Sequence, residues 1–270
     1  MEEQKVLGLI AGNNQFPFLF AREAKKKGFK VFAVAVKGDT SPFLRFLVDK
    51  IFWVGACELK KMFLFFKENK IQKVIMAGQV NPDNLFDCKT ALDEEFLSIF
   101  SALCDRKADT IFLSIAQRLK KEGIELLNST FLLSEHLVPK GTLTRRGPNE
   151  KELADIDFGR TIAKAMGSLD VGQTVVVKGR AIVAIEAMEG TDRAILRGGA
   201  IARAGAVVVK AAKPSQDERF DIPVIGPKTI LSMKKCRAAC LAVESFKTLI
   251  IDREMTIGLA DRFGICVVGF

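Results

Sequence analysis

The sequence predicts an α/β protein with an N-terminal Rossmann-like parallel-sheet domain and a C-terminal α/β domain. Short β-branched runs alternate with amphipathic helical stretches from Lys5 to Leu126, and the alternation resumes after Asn149. Between the two series lies Leu137 to Pro148, with a proline near each end and neither periodicity. At 270 residues the chain is long enough for two domains, each burying its own core. The expected boundaries are residues 1–136, a linker at 137–148 and a second domain at 149–270.

Taken in order, Lys5 to Ala11 reads as a strand ending in Gly12-Asn13-Asn14, followed by a helix from Phe18 to Lys27 and a glycine stop at Gly28. Lys30 to Val36 and Lys50 to Val54 are the next strands, Glu58 to Glu68 a helix, and Lys73 to Ala77 a fourth strand. Asp109 to Lys121 is amphipathic at helical spacing, and Ile124 to Leu126 is a short strand. In the second series Asn149 is placed to cap a helix reaching Met166, with Glu152 three residues later completing a capping box. Thr174 to Lys178 and Ala181 to Glu186 form a hairpin about Gly179-Arg180. Thr191 or Asp192 would cap a helix over Ala194 to Ala204, and Ala206 to Ala212 is the next strand. Thr229 to Val243 reads as one helix, Thr248 to Asp252 as a strand, Glu254 to Phe263 as a helix and Ile265 to Val268 as the last strand.

Composition excludes several classes. Hydrophobic residues at 49% and charged residues at 27% are those of a globular protein. No uncharged apolar run is long enough to cross a bilayer, and the first residues, Met-Glu-Glu-Gln-Lys, do not resemble a signal peptide, so a cytoplasmic chain is expected. The six cysteines, Cys57, Cys88, Cys104, Cys236, Cys240 and Cys266, include no Cys-x-x-Cys pair and read as reduced core residues, with Cys236 and Cys240 four apart. His136 is the only histidine, so serine or cysteine catalysis has one imidazole to draw on and a multi-histidine metal site has too few ligands. The net charge of +9 favours an anionic partner. Dispersed lysines, 21 Phe and no Tyr point away from nucleic acid and leave a phosphorylated substrate or an anionic membrane surface.

In parallel sheets, ligands sit beyond the carboxyl ends of the strands, which singles out the loops Gly12 to Pro17 and Gly78 to Asp87. Gly12-Asn13-Asn14 lacks the dinucleotide fingerprint and no Walker sequence occurs, so the first loop is either a phosphate-approaching turn or a tight strand-to-helix connection. The second half carries two acidic turns at strand ends. One holds Glu186, Glu189 and Asp192; the other holds Asp217, Glu218 and Asp221, with Lys210, Lys213 and Arg219 close by. Carboxylates from separate loops hold Mg²⁺ or Mn²⁺ through hard oxygen ligands, while Lys and Arg balance phosphate charge. The pattern is that of phosphoryl transfer to water, and it names no substrate. Arg145 and Arg146 read as exposed linker charge or as phosphate contacts.

Several of these segments resemble the LpxI-type UDP-2,3-diacylglucosamine pyrophosphatases. They are Leu7 to Pro17, Gly78-Gln-Val80, Val175 to Glu186, Glu189-Gly-Thr-Asp192, Val208 to Asp221 and Pro223 to Pro227. The resemblance implies a metal-dependent hydrolase of lipid A biosynthesis, using Mg²⁺ or Mn²⁺ to split UDP-2,3-diacylglucosamine into UMP and 2,3-diacylglucosamine 1-phosphate. It also implies a homodimer; with such a lipid substrate, the Phe-rich composition and basic charge point to peripheral contact with the anionic inner membrane, and the alternative reading is a non-catalytic nucleotide- or lipid-binding module. The family's catalytic acid falls on Asp217 or Asp221. Glu186, Glu189, Asp192 and Asp217 are the expected metal ligands. Gly12, Asn13, Gly78, Gln79, Thr191, Lys210, Lys213, Gln216 and Arg219 are the expected substrate contacts.

Overall fold

A computed structural model describes residues 5–81, 93–103, 105 and 108–270. The chain divides into two compact units: Met1–Leu133 with Asp217–Asp221, and Ser134–Gln216 with Ile222–Phe270.

The first unit is built on five parallel strands: β1 (Val6–Ala11), β2 (Lys30–Val36), β3 (Lys50–Val54), β4 (Lys73–Ala77) and β5 (Glu125–Leu126). Their order is β3-β2-β1-β4-β5, so the winding reverses between β1 and β4. Each strand expected in this unit is present within a residue or two. The helices are α1 (Phe16–Lys26), α2 (Leu59–Glu68), α3 (Glu94–Ser101) and α4 (Ala108–Lys121). Sequence periodicity did not foresee α3, which starts where the Asp93 side chain accepts the Phe96 N–H at 2.8 Å. Phe66, Val74, Leu119 and their neighbours form a buried core, and Phe220, from far along the chain, packs against it.

The second unit holds a six-stranded sheet in the order β6-β13-β11-β9-β7-β8. Its strands are β6 (Gly141–Thr142), β7 (Thr174–Lys178), β8 (Ala181–Ile185), β9 (Val207–Lys210), β11 (Cys240–Val243) and β13 (Cys266–Gly269). β9, β11 and β13 run parallel, whereas β7 is antiparallel to both β8 and β9. A separate parallel pair joins β10 (Val224–Ile225) to β12 (Leu249–Ile250). The helices are α5 (Glu150–Ser168), α6 (Thr191–Ala202), α7 (Pro227–Lys235) and α8 (Arg253–Arg262). The capping box of Asn149 and Glu152 is present. Gly179 and Arg180 both adopt positive φ, 58° and 57°, as a two-residue hairpin turn with right-handed strand twist requires. Gly159 lets α5 lie close on the sheet, since a Cβ there would stand 2.6 Å from Val209 Cγ2.

Three expectations are corrected. Thr229 to Val243 is not one helix: α7 stops at Lys235, Arg237 turns at φ 54°, and Cys240–Val243 is a fully buried strand inside the sheet. Cys236 and Cys240 therefore share no helix face, and Cys240 stands beside Cys266 on the neighbouring strand. Cys57 is disulfide-bonded, because distance in sequence does not limit which cysteines a fold brings together; Cys236, Cys240 and Cys266 are free, and Cys88 and Cys104 lie outside the described residues. Within Leu137 to Pro148, Gly141–Thr142 pairs with β13 and Thr144 Oγ1 accepts the Val267 N–H at 2.9 Å. Arg146 is not free charge: it grips Glu152 at 2.7 and 3.0 Å and donates to the Gly264 carbonyl at 3.0 Å.

Candidate functional site

At the point where the winding reverses, the loops after β1 and β4 are fitted to each other. The Gly12 N–H donates to the Ala77 carbonyl at 2.9 Å, and the Asn13 N–H donates to the Gln79 carbonyl at 2.7 Å. A Cβ on Gly12 would stand 2.4 Å from Gln79 O, and one on Gly78 (φ +87°) would stand 2.4 Å from Asn13 O. Between the two readings of Gly12, this is the tight turn; both N–H groups already have partners. The side chains of Asn13, half-buried, and Gln79, exposed, are what this edge offers a ligand. Of the loop Gly78 to Asp87, residues 82–87 lie outside the described residues.

The segment Asp217–Asp221 belongs to this first unit. Asn128 Nδ2 donates to Glu218 Oε2 at 2.6 Å, the Ser129 N–H to the Glu218 carbonyl at 2.9 Å, and the Ser129 hydroxyl lies 2.6 Å from the Arg219 carbonyl. Phe220 stacks at a tilt on Phe112, with ring centroids 5.6 Å apart. Within the segment the Asp221 N–H donates to the Asp217 carbonyl at 3.0 Å, closing one turn. Arg219 donates to both Asp217 oxygens, Nε at 2.9 Å and Nη2 at 2.6 Å. That charge-assisted fork holds the Asp217 carboxyl below the usual aspartate range, against the opposing effect of burial. Asp217 is thereby a fixed, ionised acceptor suited to orienting a water more than to carrying its proton. Asn128 and Ser129 had no signature in the sequence; the contact spans about ninety residues.

The second acidic turn lies in the other unit, at the carboxyl edge of β8 and β9. Thr174 pairs with Lys210 in the β7/β9 register, and the Glu186 N–H donates to the Thr174 carbonyl at 2.8 Å. Lys210, only 6% exposed, donates to the Thr191 hydroxyl at 2.8 Å, and that hydroxyl donates to Glu186 Oε1 at 2.7 Å. The expectation that Thr191 or Asp192 caps the helix is corrected: the N-cap of α6 is Gly190 at φ 82°, with no side-chain cap. Thr191 is engaged by Lys210 and Glu186, while Asp192 meets Lys228 at 3.0 Å and Ser232 at 3.2 Å. Glu189 meets Arg197 at 2.5 Å, which lowers its carboxyl pKa. Lys213 is paired with Asp170 at 2.7 Å, and its N–H donates to Gln216 Oε1 at 2.9 Å. Glu244 accepts the Ala212 N–H at 2.9 Å and Lys164 at 2.6 Å, fixing the chain just before Lys213.

Glu186, Glu189 and Asp192 share one turn, yet each is directed to a different partner. Among the described residues no group of three or more His, Cys, Asp or Glu side chains is placed to hold a metal ion. No helix among the described residues is long and apolar enough to cross a membrane.

A doubly wound parallel sheet in one unit, and in the other a mixed sheet with lysine, threonine and carboxylate side chains at its strand ends, define a two-unit α/β protein with polar groups gathered where such folds bind ligands. The chain belongs to the LpxI family: the LpxI N-terminal domain matches residues 6–136 and the LpxI C-terminal domain residues 139–268. It is 30% identical over 273 residues to the UDP-2,3-diacylglucosamine pyrophosphatase LpxI of Caulobacter vibrioides, covering 97% of this chain and 96% of that protein. Among solved structures, the biotin carboxylase domain of the Hydrogenobacter thermophilus 2-oxoglutarate carboxylase is similar at 10% identity and a TM-score of 0.30, over 75% of this chain and 41% of that one. Phosphoribosylglycinamide synthetase from Anaerococcus prevotii is similar at 15% identity and a TM-score of 0.27, over 65% of this chain and 32% of that one. The chain spans less than half of either, and likenesses this low carry no functional argument.

Proposed function

We propose that the chain is an enzyme that hydrolyses the pyrophosphate bond of UDP-2,3-diacylglucosamine, releasing UMP and 2,3-diacylglucosamine 1-phosphate for lipid A biosynthesis. The observation that carries the reading is the end-to-end likeness to the Caulobacter enzyme of that name. The geometry supports it at two places. Asp217, kept ionised by the Arg219 fork, is the acceptor that orients the attacking water, and Asp221 closes the turn that fixes its backbone. Lys210 presents a buried ammonium to phosphate charge at the strand ends of the second unit. Beside Asp217 the first unit offers Arg219, Asn13 and Gln79, on loops shaped by Gly12 and Gly78, as proposed substrate contacts, and beside Lys210 the second unit offers Thr191, Lys213 and Gln216.

Dependence on Mg²⁺ or Mn²⁺ is part of this proposal; a divalent ion would neutralise pyrophosphate charge and polarise a phosphoryl oxygen. So are a homodimer and peripheral contact with an anionic inner leaflet. Phe43 and Phe46, 68% and 65% exposed on one turn with Arg45 over the Phe46 ring, are the side chains placed against that leaflet.

The test is UMP release from UDP-2,3-diacylglucosamine with Mg²⁺ or Mn²⁺. Release that stops with chelator and falls by at least about a hundredfold in Asp217→Asn is expected. Absence of release with either metal refutes the reaction, and full activity in chelator refutes the metal dependence. Retention on anionic vesicles that Phe43→Ser and Phe46→Ser abolish tests the membrane contact.

A further inference from the structure

Glu186 carries an oxygen that the fold leaves without a donor. Its Oε1 accepts the Thr191 hydroxyl at 2.7 Å, but Oε2 is buried and has no hydrogen-bond partner. Buried acceptors are nearly always satisfied, so an exception at the carboxyl edge of a sheet points to a missing donor. The directions of the neighbouring bonds are fixed by chemistry. An ammonium can only donate, so Thr191 Oγ1 must accept from Lys210 and turn its single proton toward Glu186. The chain therefore runs Lys210 to Thr191 to Glu186, open for donation at one end and for acceptance at the other.

The donating end is also incompletely matched. Lys210 is 6% exposed, and its hydrogen bonds are to the Thr191 hydroxyl at 2.8 Å and the Thr174 hydroxyl at 3.5 Å. Among the described residues it has no carboxylate partner, whereas buried cations are ordinarily paired with an anion. Beside it the N-terminus of α6 has no side-chain cap. A ligand that satisfies both ends needs an anionic oxygen for Lys210 and, a few ångströms away, an O–H for Glu186 Oε2.

We propose that this edge is a sugar-phosphate subsite, in which Lys210 takes a phosphoryl oxygen and Glu186 Oε2 accepts a ring hydroxyl of the same ligand. Glu186 then reads the sugar and is not a metal ligand. The inference deepens the proposed reaction and rests on it for the identity of the sugar, since the ribose phosphate of UMP and the glucosamine 1-phosphate headgroup share this chemistry.

The experiment titrates the full chain with UMP, glucosamine 1-phosphate and inorganic phosphate by calorimetry or NMR, comparing wild type with Glu186→Gln. The glutamine keeps an acceptor for Thr191 and places an N–H₂ donor where Oε2 accepted. The expected result is a ten- to hundredfold loss of affinity for one of the two sugar phosphates, the scale of a hydrogen bond to a charged group, with inorganic phosphate unchanged. The ligand that suffers the loss names the sugar. Equal affinities in the two proteins overturn the proposal, as does an equal loss for all three ligands or absence of sugar-phosphate binding to wild type. If Glu186→Gln melts early, Glu186→Asp, which withdraws the carboxylate by one methylene, is read in the same way. Hydrolysis is assayed in parallel: the binding pattern without UMP release refutes the reaction and leaves the subsite standing, and UMP release without the pattern does the reverse.

Discussion

Replacing Phe220 by alanine tests whether the Asp217 segment is held on the first unit by its aromatic anchor. Truncating a fully buried Phe costs about 3–5 kcal/mol. Phe220 is half-buried, packing against the core around Phe66 and on Phe112 at 5.6 Å between centroids, so about 2 kcal/mol is the expected loss, including the pair term. At 1.4 kcal/mol per decade that is roughly a thirtyfold shift toward the undocked segment. The Ser129 amide, which donates to the Glu218 carbonyl at 2.9 Å, reports docking directly. Hydrogen exchange should therefore accelerate about thirtyfold at Ser129 and stay unchanged at Ile10 and Val74 in the central strands. Turnover should fall with the docked fraction. An unchanged Ser129 amide refutes the reasoning, and uniform acceleration across the unit would make Phe220 an ordinary core residue.

The Arg219 fork lowers the folded-state pKa of Asp217, so its contribution to stability is present above the ordinary aspartate pKa and is lost as pH falls through the depressed value. With side chains 38% and 29% exposed, that contribution is about 1 kcal/mol at most; Arg219→Met should remove this extra acid sensitivity, as urea denaturation between about pH 5 and pH 2 will show. Arg146→Met strands the buried Glu152 carboxylate and should destabilise by about 3 kcal/mol, with part of the loss recovered by adding Glu152→Gln in a thermal melt. Gly159→Ala should cost about 1–3 kcal/mol against the valines of β7 and β9. Gly258→Ala, in α8 with nothing within 4 Å of the new Cβ, should instead stabilise by about 0.5–1 kcal/mol, and chemical denaturation of the pair checks both signs.

What could be read from the chain was local. The five strands of the first unit announced themselves as β-branched runs between polar stops, and Asn149 with Glu152 announced the start of α5, because backbone geometry there depends on neighbours in sequence. The strand Cys240–Val243 could not be separated from α7 in the same way. No Gly or Pro marks the break; Cys236 and Arg237 make the turn, and only burial within the parallel sheet selects strand over helix for Cys-Leu-Ala-Val. The candidate site divides along the same line. Asp217, Lys210 and Glu186 stood out as charged residues at strand ends, while their partners did not. Asn128 and Ser129 look like an ordinary loop, and Thr191 has the sequence context of a cap; only the tertiary fold turns its hydroxyl to Lys210 and Glu186.

The first unit is not contiguous in the chain, since five residues, Asp217–Asp221, arrive after most of the second unit's sequence. During synthesis the parallel sheet can form early, but the patch of its core that receives Phe220 stays open until residue 221 has left the ribosome. A fragment ending at Leu133 would keep that apolar patch uncovered, and one beginning at Ser134 would carry Phe220 with nothing to bury it. The activity proposed for Asp217 thus becomes available only when nearly the whole chain exists, and neither half, expressed by itself, can report on it.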